Sequence, residues 1–227
     1  MKIIALSDIH GDLIKVPKCD VVCICGDILP LNIQRDLVRS WFWLINEFTP
    51  WANSLKCEHV VFIAGNHDFI FEQCHQLGSD IKNIWKDHPK IHYLIDESVE
   101  IDGKKFYGTP WCPNLSMWAF YDSSEGLVKK FSKIENCDVL LTHCPPKIGL
   151  AGTVLETNYN HMRDFGCLEL ADSLKGKNIS WVISGHIHSG DHKITKYFNE
   201  NRYINIVNVS IKDEGYNISY KPFKFEI

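Results

Sequence analysis

Short apolar runs in this chain repeatedly stop at residues that bind metals or move protons. Ile3-Ile4-Ala5-Leu6 gives way to Ser7-Asp8-Ile9-His10, and Val21-Val22-Cys23-Ile24-Cys25 to Gly26-Asp27. Val60-Val61-Phe62-Ile63-Ala64 runs into Gly65-Asn66-His67-Asp68. Farther on, Val139-Leu140-Leu141 empties into Thr142-His143, and Trp181-Val182-Ile183 into Ser184-Gly185-His186-Ile187-His188. Runs of this length, apolar throughout, predict strands buried on both faces that deliver polar groups at their carboxyl ends.

Between the strands the period changes. Ile33 to Leu55 predicts an amphipathic helix, with Leu37, Trp41, Leu44, Ile45 and Phe48 at helical spacing and Pro50 interrupting or ending it. Weak helical character over 69–86 and helices at about 125–135 and 167–174 follow. Strand-like pieces at 91–95, 98–101 and 105–108 flank Asp102-Gly103, a hairpin turn signal. A long loop is expected over 147–164, and antiparallel strands near 193–198, 202–209 and 216–225. Alternating strands and helices predict a parallel sheet with helical cover. With no internal repeat, low-complexity segment or linker, residues 1–227 read as a single domain.

Composition narrows the partners. The 227 residues are 45% hydrophobic and 23% charged, ordinary for a globular chain with a substantial core. A formal net charge of -4 gives no electrostatic reason to expect a membrane surface or an extended nucleic-acid groove. No apolar run approaches the roughly 20 residues of a membrane span. Nine cysteines, an odd number with no Cys-x-x-Cys pair, read as reduced thiols. The chain enters a strand at Lys2-Ile3-Ile4 without a charged-then-apolar leader, so a cytoplasmic location is expected.

The five strand ends carry the chemistry. In Asp8-x-His10 and His186-x-His188, side chains two apart on an extended segment point the same way, so each pair can approach one centre. Asp and Asn oxygens mixed with imidazoles suit manganese, iron, zinc or nickel better than calcium, and the absence of clustered Cys disfavours a closed structural zinc site. Singly, an Asp-x-His or a His after a strand has an ordinary loop reading. Five such pieces in order favour metal.

Asp8-Ile9-His10, Gly26-Asp27, Gly65-Asn66-His67-Asp68, Thr142-His143 and Gly185-His186-Ile187-His188 resemble the five ordered motifs of the calcineurin-like metallophosphoesterase superfamily. Gly108-Thr109-Pro110-Trp111, Thr142-His143-Cys144-Pro145-Pro146 and Gly166-Cys167-Leu168-Glu169-Leu170 resemble its metallophosphoesterase-domain branch. The resemblance implies an α/β fold, a four-layer α/β/β/α sandwich of two mixed sheets. It also implies two divalent metal ions, manganese first, with iron, zinc, nickel or magnesium as alternatives. One metal would take Asp8, His10, Asp27 and His188; the other Asn66, His143, His186 and the same Asp27. His67 is expected to face substrate.

On that reading, a hydroxide held between two cations about 3.5–4 Å apart attacks phosphorus while His67 protonates the leaving oxygen as general acid. Asp12 and Asp68 are both candidates to orient its imidazole. Protein phosphatases of the superfamily extend the second motif with an arginine; here the stretch is Gly26-Asp27-Ile28-Leu29-Pro30. The arginines are Arg35, Arg39, Arg163 and Arg202, none beside a motif in sequence. Few fixed cations favour a phosphodiester, and the branch resemblance implies a small cyclic nucleotide or similar diester as the partner. Trp111 and Trp118 are candidates to stack on a base, or else to cap the second sheet. Asn66 is also a candidate substrate contact, as are His192 and Arg163 with less to support them. A phosphomonoesterase, a nuclease and a non-catalytic scaffold on this fold are the alternatives. Oligomeric state has no signature in the sequence.

Overall fold

The computed structural model describes residues 1–113, 115–156, 161–200 and 202–227. The first three apolar runs form β1 (Lys2–Leu6), β2 (Val21–Cys25) and β3 (His59–Ile63), paired in parallel. β4 (Ile91–Tyr93) extends this sheet in parallel on β3, and β13 (Phe223–Glu226) closes its other edge antiparallel to β1. The second sheet contains β5 (Glu97–Ile101), β6 (Lys104–Thr109), β7 (Cys137–Thr142), β10 (Ile179–Ser184), β11 (Thr195–Asn199) and β12 (Arg202–Asn208). Its order is β11-β12-β10-β7-β6-β5, parallel in the middle and antiparallel at both edges. The β5–β6 hairpin turns at Asp102 and Gly103, both at positive φ, as the Asp-Gly pair predicts.

The period of two explains why the strands are apolar throughout. Ile3, Ala5, Val61 and Ile63 face Val139, Leu141 and Ile183 across the inter-sheet layer. The intervening Ile4, Leu6, Val60 and Phe62 join Phe48, Phe71 and Trp85 beneath the helices instead. The helices are α1 (Leu37–Trp43), α2 (Thr49–Ser54) and α3 (Phe69–Gln76) on the first sheet's side, with α4 (Ser124–Phe131) and α5 (Leu168–Ser173) packed together on the second's. The two mixed sheets with flanking helices match the expected class.

Three local expectations change. The 33–55 segment begins its helix only after Asp36, whose carboxylate caps it by accepting from Arg39 N at 3.0 Å. It then passes through a π-helical turn, Leu44–Phe48, directly into α2. Proline removes one backbone donor and its ring crowds the carbonyl four residues back; the widened turn absorbs both, so Pro50 sits in the first turn of α2 and the chain continues as helix. The 147–164 loop contains a two-stranded sheet, β8 (Thr153–Glu156) on β9 (His161–Asp164). In the 216–225 tail only the end pairs as β13, because Asp213 draws the preceding chain into a turn, its carboxylate accepting from Gly215 N and Asn217 N at 2.9 Å each.

Candidate metal centre

The carboxyl ends of β1, β2, β3, β7 and β10 meet at one rim of the sandwich, and the chain leaves β1, β2 and β10 through left-handed residues. Asp8 (φ 58°), His10 (φ 43°), Asp27 (φ 54°) and His186 (φ 68°) all occupy the left-handed region. For residues with a Cβ that region is costly, by roughly 1–3 kcal/mol each, and its concentration at four candidate ligands marks a site the fold holds under strain.

The carboxylate of Asp27 is buried at the middle. Its Oδ1 accepts from His67 N at 2.8 Å and lies 3.4 Å from His143 Nε2, while Oδ2 lies 3.8 Å from both His10 Nε2 and His67 Nε2. One carboxylate thus offers its two oxygens to two groups of imidazoles, as a bridging ligand must. On one side, Asp8 accepts from His186 N at 3.0 Å and faces His188 Nε2 at 3.4 Å. On the other, Asn66 Oδ1 and His143 Nε2 are 2.9 Å apart. His143 donates from Nδ1 to Cys25 O at 2.7 Å and His188 from Nδ1 to Asp213 O at 3.0 Å, which turns both Nε2 atoms inward. Three overlapping trios, Asp8/His10/His188, His10/Asp27/His67 and Asp8/Asp27/His143, each place their ligand atoms within 4.8 Å of one another. His186 belongs to none of the trios; its ring lies 5.1 Å from that of His143.

His10 tests whether these residues fit a metal. Both its ring nitrogens are buried without a hydrogen-bond partner among the described residues. An unmade buried hydrogen bond costs about 1–3 kcal/mol, and a cation at Nε2 would remove one of the two. Two glycines make room. Gly26 (φ 93°) would, with a Cβ, approach His143 Nδ1 at 2.7 Å, and Gly65 would approach His143 Cε1 at 2.7 Å.

Electrostatics sort the ligands by protonation. Burial would raise Asp27 and Asp8, but neighbouring imidazoles outweigh it: charged His143, and His67 beside it, hold Asp27 well below the carboxylate range, and the His188 hydrogen bond with charged His143 brings Asp8 to about 2, while burial lowers His67 itself against the pull of Asp27. Burial likewise opposes charge on His143, yet Asp27 raises it to about 10. Burial dominates at His10 and His186, both brought down to about 4 and therefore neutral at pH 7.

Two nearby residues, Gln34 and Tyr216, carry no sequence signal. His67 Nδ1 is hydrogen-bonded to Gln34 Oε1. Neither expected acid orients this ring: Asp12 pairs with Lys212, and Asp68 accepts from Ile28 N, Leu29 N and Gly65 N at 3.0, 3.0 and 2.8 Å. Tyr216 stands with its ring 5.0 Å from His10 and 5.2 Å from His188. Trp118 lies 4.4 Å from His67. Trp111 behaves differently: it is 6% exposed, its indole donates to Asp96 at 2.9 Å, and Lys130 Nζ covers its ring at 3.2 Å. Among the described residues this burial beneath Lys130 fits the sheet-capping alternative better than base stacking. His192 is stacked on Tyr220 at 3.7 Å. Arg163 lies over Phe165 in a cleft of about 390 Å³ that opens beside His186.

A family profile described as calcineurin-like phosphoesterase matches residues 1–190. Metallophosphoesterase domain-containing protein 1 of Homo sapiens is 28% identical over 212 residues, covering 83% of this chain and 61% of that protein. UPF0046 protein T07D4.2 of Caenorhabditis elegans is 26% identical over 261 residues, covering 100% of this chain and 60% of that protein. The chain therefore spans about 60% of the length of these relatives. The phosphopantetheinyl hydrolase of Mycobacterium tuberculosis superposes with a TM-score of 0.53 at 13% identity, over 93% of this chain and 89% of that one, a likeness of fold alone. Because the profile runs through every strand-end motif from Asp8 to His188, the chain belongs to the calcineurin-like phosphoesterase family.

Proposed function

We propose that this protein is a metal-dependent phosphodiesterase acting on a small, nucleotide-like diester, with His67 as general acid. The observation that carries the reading is the two-sided Asp27 carboxylate, set among imidazoles of which His10 has no hydrogen-bond partner among the described residues. Asp8, His10, Asp27 and His188 would hold one divalent cation; Asn66, His143, His186 and Asp27 would hold the second. When bound, such a pair lowers the pKa of water towards about 7 and offsets charge on phosphoryl oxygens. Asp27 would screen the repulsion between the two cations. His67 presents Nε2 to the same space and, as imidazolium, gives its proton to the leaving oxygen as the P–O bond breaks.

Diesters are preferred because nearby fixed cations are engaged elsewhere. Arg35 lies 4.1 Å over Phe69 and donates to Met117 O at 3.2 Å, and Lys212 is tied to Asp12. A second negative charge on a monoester would find little compensation. Nine free cysteines fit a reducing compartment, and a cytoplasmic location is proposed with them.

The test is a panel of 2′,3′- and 3′,5′-cyclic nucleotides, linear diesters and monoesters, assayed with added Mn²⁺ beside the His67→Ala variant. Diester turnover is expected, and His67→Ala should retain its metal while losing about 10²–10⁴-fold in rate on poor leaving groups. Exclusive monoester turnover would overturn the diester preference. A variant of normal rate would remove His67 from its role.

A further inference from the structure

We propose that Gln34 is the positioning residue of the general acid, a role resting on the assignment of His67 above. An amide oxygen only accepts, so the ring nitrogen facing Gln34 Oε1 must be the protonated one, and the bond assigns the hydrogen to Nδ1. The opposite nitrogen, Nε2, is then directed at the cluster, 3.8 Å from Asp27 Oδ2.

This arrangement suits the proton inventory of the reaction. Before transfer the imidazolium carries hydrogens on both nitrogens. As the oxygen of a hydroxide, formed by water giving up one proton to solvent, bonds to phosphorus and the bond to the leaving oxygen breaks, the Nε2 proton passes to that leaving oxygen, while the N–H bonding electrons stay on the ring. The ring is left as the neutral Nδ1–H tautomer, which Gln34 already holds. No tautomer exchange or ring flip is needed between the two states.

The turn that presents Gln34 is pinned from both sides. Ile33 N donates to Pro30 O at 3.1 Å, Asp36 N to Ile33 O at 2.8 Å, and Ser40 Oγ to Ile33 O at 2.9 Å. On the far side, Arg35 sits 4.1 Å over Phe69 and 5.1 Å over Trp118, and Trp118 in turn lies 4.4 Å from His67. His10 touches the remaining edge of the ring at 4.8 Å. Packing therefore limits where the His67 ring sits, and the Gln34 bond selects which of its two nitrogens faces the reaction.

The experiment uses metal-loaded protein and methyl aryl phosphodiesters whose phenols run from p-nitrophenol to phenol. The readout is the slope of log kcat against leaving-group acidity, measured for wild type, Gln34→Ala, Gln34→Glu and His67→Ala. Protonation of the leaving oxygen matters most for phenol, so His67→Ala should steepen the slope. Gln34→Ala should move towards it, losing about tenfold more on phenol than on p-nitrophenol. Gln34→Glu keeps an acceptor at the same reach and should track wild type. An equal loss along the whole series in Gln34→Ala, or a wild-type slope, overturns the positioning role while leaving His67 as the acid. A Gln34→Glu slope as steep as that of Gln34→Ala overturns the hydrogen bond as its cause. If His67→Ala itself is not steepened, the acid assignment falls and this role with it.

Discussion

Loading the metal-free protein at pH 8 should expel about one to two protons per chain, most of them from one side chain. His143 is buried, which disfavours charge, but Asp27 Oδ1 lies 3.4 Å from its Nε2 and raises its pKa to about 10. Because Nδ1 donates to Cys25 O, the proton that must leave for a metal to bind is the one on Nε2. Two units below that pKa the ring is about 99% protonated, so ligation removes close to one proton. His188 is also raised, by its Asp8 hydrogen bond acting against burial, so any release from it has the same sign. His10 and His186, at about 4, are already neutral and add none. A raised imidazole holds its proton below its own pKa, so protons compete with metal most at low pH. Affinity should climb about tenfold per pH unit from 7 to 9, roughly 2.7 kcal/mol in all. In the metal-free fold, the stability from charged His143 is fully present below about pH 6.5 and is lost as pH rises through about 10. Calorimetric titration with Mn²⁺ in buffers of different ionisation enthalpy measures the release directly. A binding enthalpy independent of buffer at pH 8, together with a Kd flat from pH 7 to 9, would refute a charged His143 in the metal-free cluster.

Two further perturbations probe the scaffold. Gly185→Ala would drive a Cβ into Ser7 Oγ and the Asp8 carboxylate, so metal content at limiting Mn²⁺ should fall while circular dichroism stays native; overpacking of this kind costs about 1–3 kcal/mol. Phe62 is fully buried with its ring 5.2 Å from Phe48 and 5.1 Å from both Trp85 and Tyr93, so Phe62→Ala should lose about 3–5 kcal/mol in urea unfolding, and a loss below about 1 kcal/mol would contradict the packing described.

The centre was legible because each of its residues ends an apolar run, and a buried strand with a metal ligand at its tip leaves a local imprint in sequence. Gln34 and Tyr216 leave none. They reach His67 and His10 through turns whose spacing has no periodicity, and only tertiary packing brings them there. Asp68 misleads for a related reason: it adjoins His67 in sequence, yet three backbone donors claim its carboxylate. Trp111 reads as a candidate stacking surface until its indole is seen bonded to Asp96 beneath Lys130. The π-helical turn before Pro50 escaped because proline ordinarily signals an ending, and the side-chain bond from Thr49 Oγ1 to Leu44 O at 2.7 Å that accompanies the widened turn is not a propensity.

Asp27 comes from the first sheet and His143 from the second, so the pair facing each other at 3.4 Å spans the sandwich. A cation coordinated by both would be a rivet through two plates that otherwise adhere mainly by apolar contact. Ser7 and Ser210 already stitch the plates together near one end of the rim. With the rivet in place, neither sheet can peel away without first surrendering its ligands. Metal occupancy would then stabilise the whole chain by mass action, about 2.7 kcal/mol at a hundredfold excess over Kd, and bind the unfolding of the two halves into one event.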